Sequence, residues 1–377
     1  MKVAIVGSGI AGSTLAINLA KNNFKIDMYE MRKAPKAICG GGLGFYALDR
    51  IGKMDEEIHK LLIQNTKSYI DSFLVYTSKY TKNNYKLAGE RYKSLYDKSE
   101  IDGFEMLKLT RENLKIEREH LGIIMDRHTL DEGAVKLAKS YGVNYYNNTK
   151  VDPNTLKDYD YVIDARGVDG WNLNTNTFIV AYQEYYPTPL KKGNVMEIYF
   201  DNDLFDMGYA WFMPKGETTK IGFGDKVDKV KRIGLHEYMN YVHDFTSTHD
   251  DMISFEGAQL PLSGKVKLRE GKVFKVGTSA GFIDPLTGGG IRMAIESAII
   301  LSKALQHQNP YLYYLMKTAY LRGQIRMSTI ARNRLIKMSN ERMTHTLVKI
   351  KEKLNNKRVT DSIYLEVLTL IPYLFMS

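Results

Sequence analysis

The chain has 377 residues, of which 44% are hydrophobic and 25% charged, so it is long enough for two domains or one large domain with insertions. Its single cysteine, Cys39, excludes an internal disulfide, and no stretch approaches the roughly 18 apolar residues of a membrane-spanning helix. We expect no secretory signal, because the apolar run 3–6 belongs to a strand pattern, and we therefore expect a cytoplasmic protein.

The net charge of +10 is concentrated near the carboxyl end. Residues 317–358 hold 12 Lys or Arg and two acidic residues, so the rest of the chain is close to neutral. This segment is either a solvated helical face or a contact with an anionic surface, which would be phosphate or lipid headgroups. Contact with lipid headgroups would make the protein peripheral to a membrane. Nucleic acid is not an expected partner, because no recognition motif accompanies the charge.

The first 30 residues predict a strand–helix–strand unit, with strands at 2–6 and 25–30 around a helix at 10–22. The next segments predict a loop over 35–47 and a mixture of strands and loops over 71–108. A helical spacing then begins at Asp126 and stops before Gly142. Two further strands are predicted at 143–147 and 159–165.

A different layer is predicted next, because apolar and polar residues alternate in four consecutive segments separated by turn residues. The segments are 178–186, 195–201, 207–213 and 219–224. This alternation is typical of an antiparallel sheet. A strand at 272–277, a glycine-rich loop and a helix from Ile291 to about residue 305 follow, and the remaining residues read as mostly helical.

These elements predict an α/β fold, in which a Rossmann-type domain carries an inserted antiparallel-sheet substrate domain and a helical C-terminal region. The Rossmann-type domain is discontinuous, over 1–70, 109–170 and 265–308. The inserted domain takes 71–108 and 171–264. The helical region takes 309–377.

The segment Gly7-Ser8-Gly9-Ile10-Ala11-Gly12 lies directly between the first strand and the first helix, where this glycine pattern predicts a dinucleotide site. Gly7 permits the tight turn, Gly9 lets the backbone approach a pyrophosphate, and Gly12 lets the helix pack near the strand. Glu30 ends the second strand, where an acid holds ribose hydroxyls. The loop alone allows either NAD or FAD.

A second glycine-rich loop, over 277–290, opens the helix at Ile291. A helix N-terminus stabilises negative charge, and a reduced flavin carries such charge around N1. The second loop therefore favours FAD. In the alternative interpretation, the segment is only a surface loop with a helix cap.

Several motifs in the same order resemble those of the geranylgeranyl reductase family, flavoproteins with the aromatic-hydroxylase fold. They are the first glycine loop, Cys39-Gly40-Gly41-Gly42-Leu43, Asp126-Arg127, Tyr209-Ala210-Trp211-Phe212-Met213-Pro214 with Gly222-Phe223-Gly224, and the loop from Gly277 to Ile291. The resemblance runs from the N-terminus to about residue 305. It implies an FAD-dependent oxidoreductase that acts on CH–CH groups.

The resemblance also implies which residues form the site. Its FAD-binding residues are Gly7, Gly9, Ala11, Gly12, Glu30, Cys39, Gly40, Gly42, Arg127, Val151, Thr278, Pro285, Gly288, Gly290 and Ile291. Its substrate-binding residues are Tyr209, Trp211, Met213 and Pro214. Two positions depart from the family pattern. Thr278 replaces an aspartate, so its contact lacks charge assistance, and Met213 replaces a phenylalanine, which changes the pocket shape.

The implied reaction is saturation of C=C bonds in a polyprenyl, geranylgeranyl-type lipid by hydride transfer from N5 of reduced flavin. Electrons would come from NAD(P)H or another reduced carrier, since only one complete dinucleotide loop is present. An unactivated alkene has no carbonyl to polarise, so the site must position the bond. We expect an apolar tunnel lined by Trp211, Tyr209, Phe212 and Met213, with Cys39 and Tyr209 as candidate catalytic residues.

No metal site is predicted, because the histidines show no metal-binding spacing, and His243, His249 and Asp250 are expected at the surface. Two alternative functions stay open. One is a flavin monooxygenase or halogenase on the same fold, which would leave a C–O or C–halogen bond. The other is a non-catalytic flavin- or lipid-binding protein, which the neutral Thr278 keeps open.

Overall fold

The computed structural model describes residues 1–35, 38–78, 104–110, 119–171, 177–187, 194–246 and 251–356. Most of the predicted strand-and-loop segment 71–108 and the end of the predicted helical region, 357–377, lie outside these ranges. None of the helices in the described part of the chain is long and apolar enough to cross a membrane.

The described residues form three sheets and ten α-helices. The strands in chain order are β1 (Lys2–Val6), β2 (Lys25–Tyr29), β3 (Gly42–Gly44), β4 (Thr66–Ile70), β5 (Ser72–Ser78), β6 (Phe104–Thr110), β7 (Gly122–Met125), β8 (Asn144–Tyr146), β9 (Tyr161–Asp164), β10 (Phe178–Tyr186), β11 (Val195–Phe200), β12 (Tyr209–Lys215), β13 (Thr218–Lys226), β14 (Ser254–Pro261), β15 (Arg269–Glu270) and β16 (Val273–Lys275). The helices are α1 (Ile10–Ala20), α2 (Phe45–Met54), α3 (Glu56–Gln64), α4 (Arg127–Ser140), α5 (Val227–Ile233), α6 (Leu235–Thr246), α7 (Ile291–Ala304), α8 (Pro310–Lys317), α9 (Ala319–Leu335) and α10 (Asn340–Asn356).

A six-stranded sheet in the order β15-β16-β9-β1-β2-β8 forms the Rossmann-type layer. Strand β1 pairs in parallel with both β2 and β9. Its residues Val3, Ala4 and Ile5 are fully buried, as the unbroken apolar run of a central parallel strand requires. Helix α1 packs against α4 and α7. The predicted α/β fold with a Rossmann-type unit is confirmed.

The second layer is a seven-stranded sheet in the order β14-β10-β13-β12-β11-β5-β6. All its pairings are antiparallel except that of β5 with β11, which is parallel and corrects the expectation of a purely antiparallel layer. On one face, Phe212, Phe223 and Tyr182 pack in a cluster with residues of α5 and α6. On the other face, Trp211 and Met213 pack against the small third sheet, β3-β7-β4.

The predicted loop over 35–47 is wrong in its second half, where β3 and the start of α2 lie. Gly44 is extended and precedes the helix, and Ala47, Leu48 and Ile51 then bury one helical face. The short strand is specified by its pairing with β7, which no local pattern shows. The domain boundaries stay a prediction.

Candidate nucleotide and substrate site

The first glycine loop leaves an open surface at the start of α1. Gly7 has φ +107°, and a Cβ there would lie 2.4 Å from the Ala165 carbonyl oxygen. A Cβ at Gly12 would lie 2.0 Å from the Gly7 carbonyl oxygen. At Gly9, by contrast, no atom lies within 4 Å of that position. Packing therefore requires glycine at 7 and 12, whereas Gly9 faces free space that a ligand can approach.

Glu30 is fixed beside this loop. The carboxylate is buried and accepts hydrogen bonds from the Ser8 backbone N–H, at 3.2 Å, and the Ser8 hydroxyl, at 2.9 Å. The Thr149 N–H donates to the Glu30 carbonyl, which brings the segment before Val151 to the same edge of the sheet. These residues lie together, as a ribose and adenine site requires.

Arg127 lies at the start of α4 and carries an unpaired donor. Its guanidinium donates two hydrogen bonds of 3.0 Å to Asp131. Asp131 also accepts the backbone N–H of Ile10, so it links Arg127 to the start of α1. Burial raises the pKa of Asp131 even though Arg127 opposes the shift. The buried Arg127 Nε has no protein partner, and such a donor beside a helix N-terminus suits an anionic ligand.

The second glycine loop lies next to the first. A Cβ at Gly277 would lie 2.7 Å from the Ala11 Cβ and 3.5 Å from the Ala294 Cβ, so the first turns of α1 and α7 flank this glycine. The buried Asp284 shapes the loop after Pro285 by accepting the N–H groups of Leu286 and Thr287. The starts of α1 and α7 therefore lie close together in the structure.

The Cys39–Gly41 turn joins the two layers. Gly41 has φ +79° and its carbonyl accepts the Met125 N–H, which fixes the turn to β7. The Cys39 side chain interacts with the Arg127 guanidinium and accepts a hydrogen bond from the Gly41 N–H at 3.4 Å. A Cβ at Gly40 would lie 3.0 Å from the Met213 sulfur, so the turn lies directly against β12.

Strand β12 presents Tyr209, Trp211 and Met213 to this side of the sheet. The Tyr209 hydroxyl donates to the Thr287 carbonyl at 2.5 Å and so joins the sheet to the second glycine loop. Trp211 is buried, and its Nε1 donor has no protein partner. The wall that these residues form is mostly apolar and lies next to the second glycine loop and the Cys39–Gly41 turn.

Two residues that were expected near the substrate, Phe212 as a tunnel-lining residue and Pro214 as a substrate-binding residue, do not belong to this wall. Phe212 packs on the opposite face of the sheet with Tyr182 and Phe223, so its predicted place in a tunnel is wrong. Alternation along β12 places the Pro214 side chain on the Phe212 side as well. The apolar tunnel itself stays a prediction.

The sequence interpretation missed a polar group at one end of the same wall. Its members are Gln183 and Tyr185 on β10, Lys220 on β13, Glu256 on β14 and His128 on α4, and they meet the Cys39–Gly41 turn. The alternation of β13 could have indicated this group, because it places Lys220 on the same side of the sheet as Gly222 and Gly224. A charged residue at an inward position of a central strand is unusual.

His243 was expected at the surface, and its side chain is 26% exposed. Its Nε2 lies 2.7 Å from a Glu184 carboxylate oxygen and 2.8 Å from the Tyr186 hydroxyl. His249 and Asp250 lie outside the described residues. Within the described ranges, no group of three His, Cys, Asp or Glu residues is placed to hold a metal ion.

Comparison with known proteins gives matches in sequence and in fold. Residues 5–42 match the family described as an NAD(P)-binding Rossmann-like domain. A digeranylgeranylglycerophospholipid reductase of Methanocaldococcus jannaschii is 37% identical over 113 residues, which span 28% of each chain. A protein of the same name from Methanococcus vannielii is 26% identical over 324 residues, or 79% of this chain and 75% of the relative.

Two solved structures share the fold. A geranylgeranyl bacteriochlorophyll reductase-like protein of Thermoplasma acidophilum has a TM-score of 0.73 at 20% identity, covering 98% of this chain and 95% of the other. The flavin-dependent brominase Bmp2 has a TM-score of 0.64 at 12% identity, covering 99% of this chain and 94% of the other.

The fold and the two glycine loops define a protein with a Rossmann-type nucleotide-binding domain. The sequence relatives then confirm the resemblance to the geranylgeranyl reductase family, because this chain is similar over about four fifths of its length to proteins named as reductases of that type.

Proposed function

We propose that this protein is an FAD-dependent reductase that saturates C=C bonds of a polyprenyl lipid. One observation carries the proposal. The starts of α1 and α7 and the side chain of Arg127 lie close together, beside the wall of Tyr209, Trp211 and Met213. A nucleotide cofactor and an apolar substrate can therefore share one space. The names of the sequence relatives, which are digeranylgeranylglycerophospholipid and geranylgeranyl diphosphate reductases, support this substrate class.

FAD fits the residues that surround this space. Gly9 leaves room for a pyrophosphate, the buried Arg127 Nε is a free cationic donor, and Glu30 is placed for a ribose. Gly288 and Gly290 border the second loop, where the Gly288 Cβ position is also open. When bound and reduced, FAD supplies a hydride from its N5.

The chain itself supplies placement and exclusion of water. Trp211 and Met213 are buried on the sheet face and offer apolar contact to an alkene. Such contacts must orient the alkene, because it has no polar group that could be held by a hydrogen bond. Tyr209 holds the second loop through the Thr287 carbonyl. Cys39 and Tyr209 are proposed at the reacting end of the site. NAD(P)H or another reduced carrier would deliver the electrons.

Two measurements test the function. The purified protein should show the twin visible absorption bands of oxidised flavin. Under anaerobic conditions with a reduced donor, it should add two hydrogens per double bond to a geranylgeranyl lipid, detected by mass. Saturation without oxygen is not expected of a monooxygenase, halogenase or simple binding protein. A colourless protein that takes up no FAD would overturn the proposal.

The C-terminal helices suggest peripheral contact with an anionic membrane. Their exposed cations within the described residues are Lys317, Arg326, Arg334, Lys337, Arg342 and Lys349. We expect the protein to co-sediment with phosphatidylglycerol vesicles at low salt and to be released at about 0.5 M salt, because such attraction is screened.

Charge reversal tests whether these helices carry the binding. Arg326→Glu with Lys337→Glu should weaken the affinity for the vesicles at least about 30-fold, because each cation near the surface contributes about 1 kcal/mol. The matched control is Lys157→Glu, an exposed lysine before β9. Equal sedimentation of all three proteins would exclude these helices as the membrane contact.

A further inference from the structure

Lys220 is a fully buried lysine in the middle of the seven-stranded sheet. Its side chain is 1% exposed, and its strand β13 is paired on both sides, with β10 and β12. The ammonium donates to the Gly40 carbonyl at 2.8 Å and to the Cys39 carbonyl at 3.3 Å. Lysines are almost never buried without partners, and here the partners are the backbone of the Cys39–Gly41 turn.

The neighbours of Lys220 point at the same turn. The Gln183 amide donates to the Cys39 carbonyl at 3.4 Å and to the Tyr185 hydroxyl at 3.1 Å. That hydroxyl donates to Glu256 at 2.8 Å, and His128 lies 2.9 Å from the other oxygen of Glu256. The buried carbonyl oxygen of Gln183 has no protein partner. One acceptor in this group is therefore left for a bound molecule or water.

We propose that Lys220 is a positioning residue of the reduction site, which holds the Cys39–Gly41 turn through its two carbonyls and, in its protonated form, places a positive charge behind it. The turn also contacts Arg127 and Met213, so its position affects both the cofactor side and the substrate wall of the site. The catalytic part of this inference rests on the proposed function. The part that concerns the turn does not.

The charge of Lys220 is sensitive to pH. Burial lowers its pKa to about 8, with a further lowering by Lys215 on β12. Glu256 on β14, Asp126 before α4 and Cys39 in the turn oppose this shift, and the Tyr185 ring lies 5.6 Å from the ammonium. The ammonium is therefore charged below about pH 8, and its bonds to the carbonyls lose charge assistance as the pH rises above that value.

Cys39 gives a direct probe of the turn, because it is the only cysteine in the chain. In Lys220→Met, the rate at which a maleimide labels Cys39 in the cofactor-free protein should rise about tenfold, since the turn loses its charged hydrogen bonds. Lys220→Arg should label close to the wild-type rate, because it keeps the charge. The matched control is Lys226→Met, a partly exposed lysine at the end of the same strand.

The flavin-loaded enzyme gives the second readout. The wild-type kcat should fall above an apparent pKa near 8, and the visible spectrum of bound FAD should change over the same range. Lys220→Arg should keep its activity to higher pH than the wild-type enzyme. Lys220→Met should have a kcat about tenfold below the wild-type value and a KM within twofold of it, and its kcat should not fall above pH 8. The kinetic comparison uses only variants whose circular dichroism spectrum matches that of the wild-type protein.

The outcomes separate the two proposals. Wild-type labelling rates, spectra and pH profiles in Lys220→Met would overturn the role of Lys220 and leave the reductase function intact. Faster Cys39 labelling in a protein that binds no FAD would support the turn-holding role and overturn the reductase function.

Discussion

A Gly9→Val variant is expected to fold normally and to lose FAD binding. Gly9 has φ −64° and ψ −179°, which any L-residue adopts, and no atom lies within 4 Å of its Cβ position. The free energy of unfolding of the cofactor-free protein should therefore change by no more than about 1 kcal/mol, the range of N-cap substitutions. The added side chain would fill the space where a pyrophosphate approaches, so FAD affinity should fall at least about 100-fold.

Flavin fluorescence titration and denaturant unfolding measure these two effects separately. Gly323→Ala is the matched control, because Gly323 is an exposed position in α9 with no atom near its Cβ position, and it should leave both quantities nearly unchanged. Gly12→Ala should instead lower the free energy of unfolding of the cofactor-free protein, because its Cβ would lie 2.0 Å from the Gly7 carbonyl oxygen. Wild-type FAD affinity in Gly9→Val would place the cofactor elsewhere.

The parts of the fold that the sequence predicts are those with strong local periodicity. Strand β1 and helix α1 are buried on all sides, so their apolar runs and small residues show directly in the sequence. Alternation along β10 to β13 predicts those strands to within about three residues, because one face packs against α5 and α6 and the other faces the site. Both glycine loops can be recognised in the sequence, because their backbone geometry requires glycine.

The parts that sequence interpretation missed depend on contacts between distant segments. The parallel pairing of β5 with β11 leaves no local trace. Phe212 follows the same alternation as its neighbours, but which face of a sheet lines a site is decided by the layer packed against it. Alternation along β13 marks Lys220 as an inward-facing charge, but its partners, the Cys39 and Gly40 carbonyls, lie about 180 residues earlier in the chain and leave no local trace.

The second large effect is expected at Arg127. In Arg127→Met, the Asp131 carboxylate keeps only the Ile10 N–H and loses its cation in a fully buried position. Removing one partner of a buried ion pair destabilises a protein by about 3–5 kcal/mol. The same change removes the free Nε donor, so FAD affinity should fall by more than about tenfold.

The double variant Arg127→Met with Asp131→Asn distinguishes these two roles. Asparagine is neutral and can still accept the Ile10 N–H, so most of the lost stability should return in denaturant unfolding of the cofactor-free protein. FAD affinity, measured by fluorescence titration, should stay low, because no cationic donor is restored beside the start of α1. Recovery of both stability and FAD affinity would mean that Arg127 serves only to neutralise Asp131, and the anionic part of the cofactor would then be held by the backbone N–H groups of the two glycine loops alone.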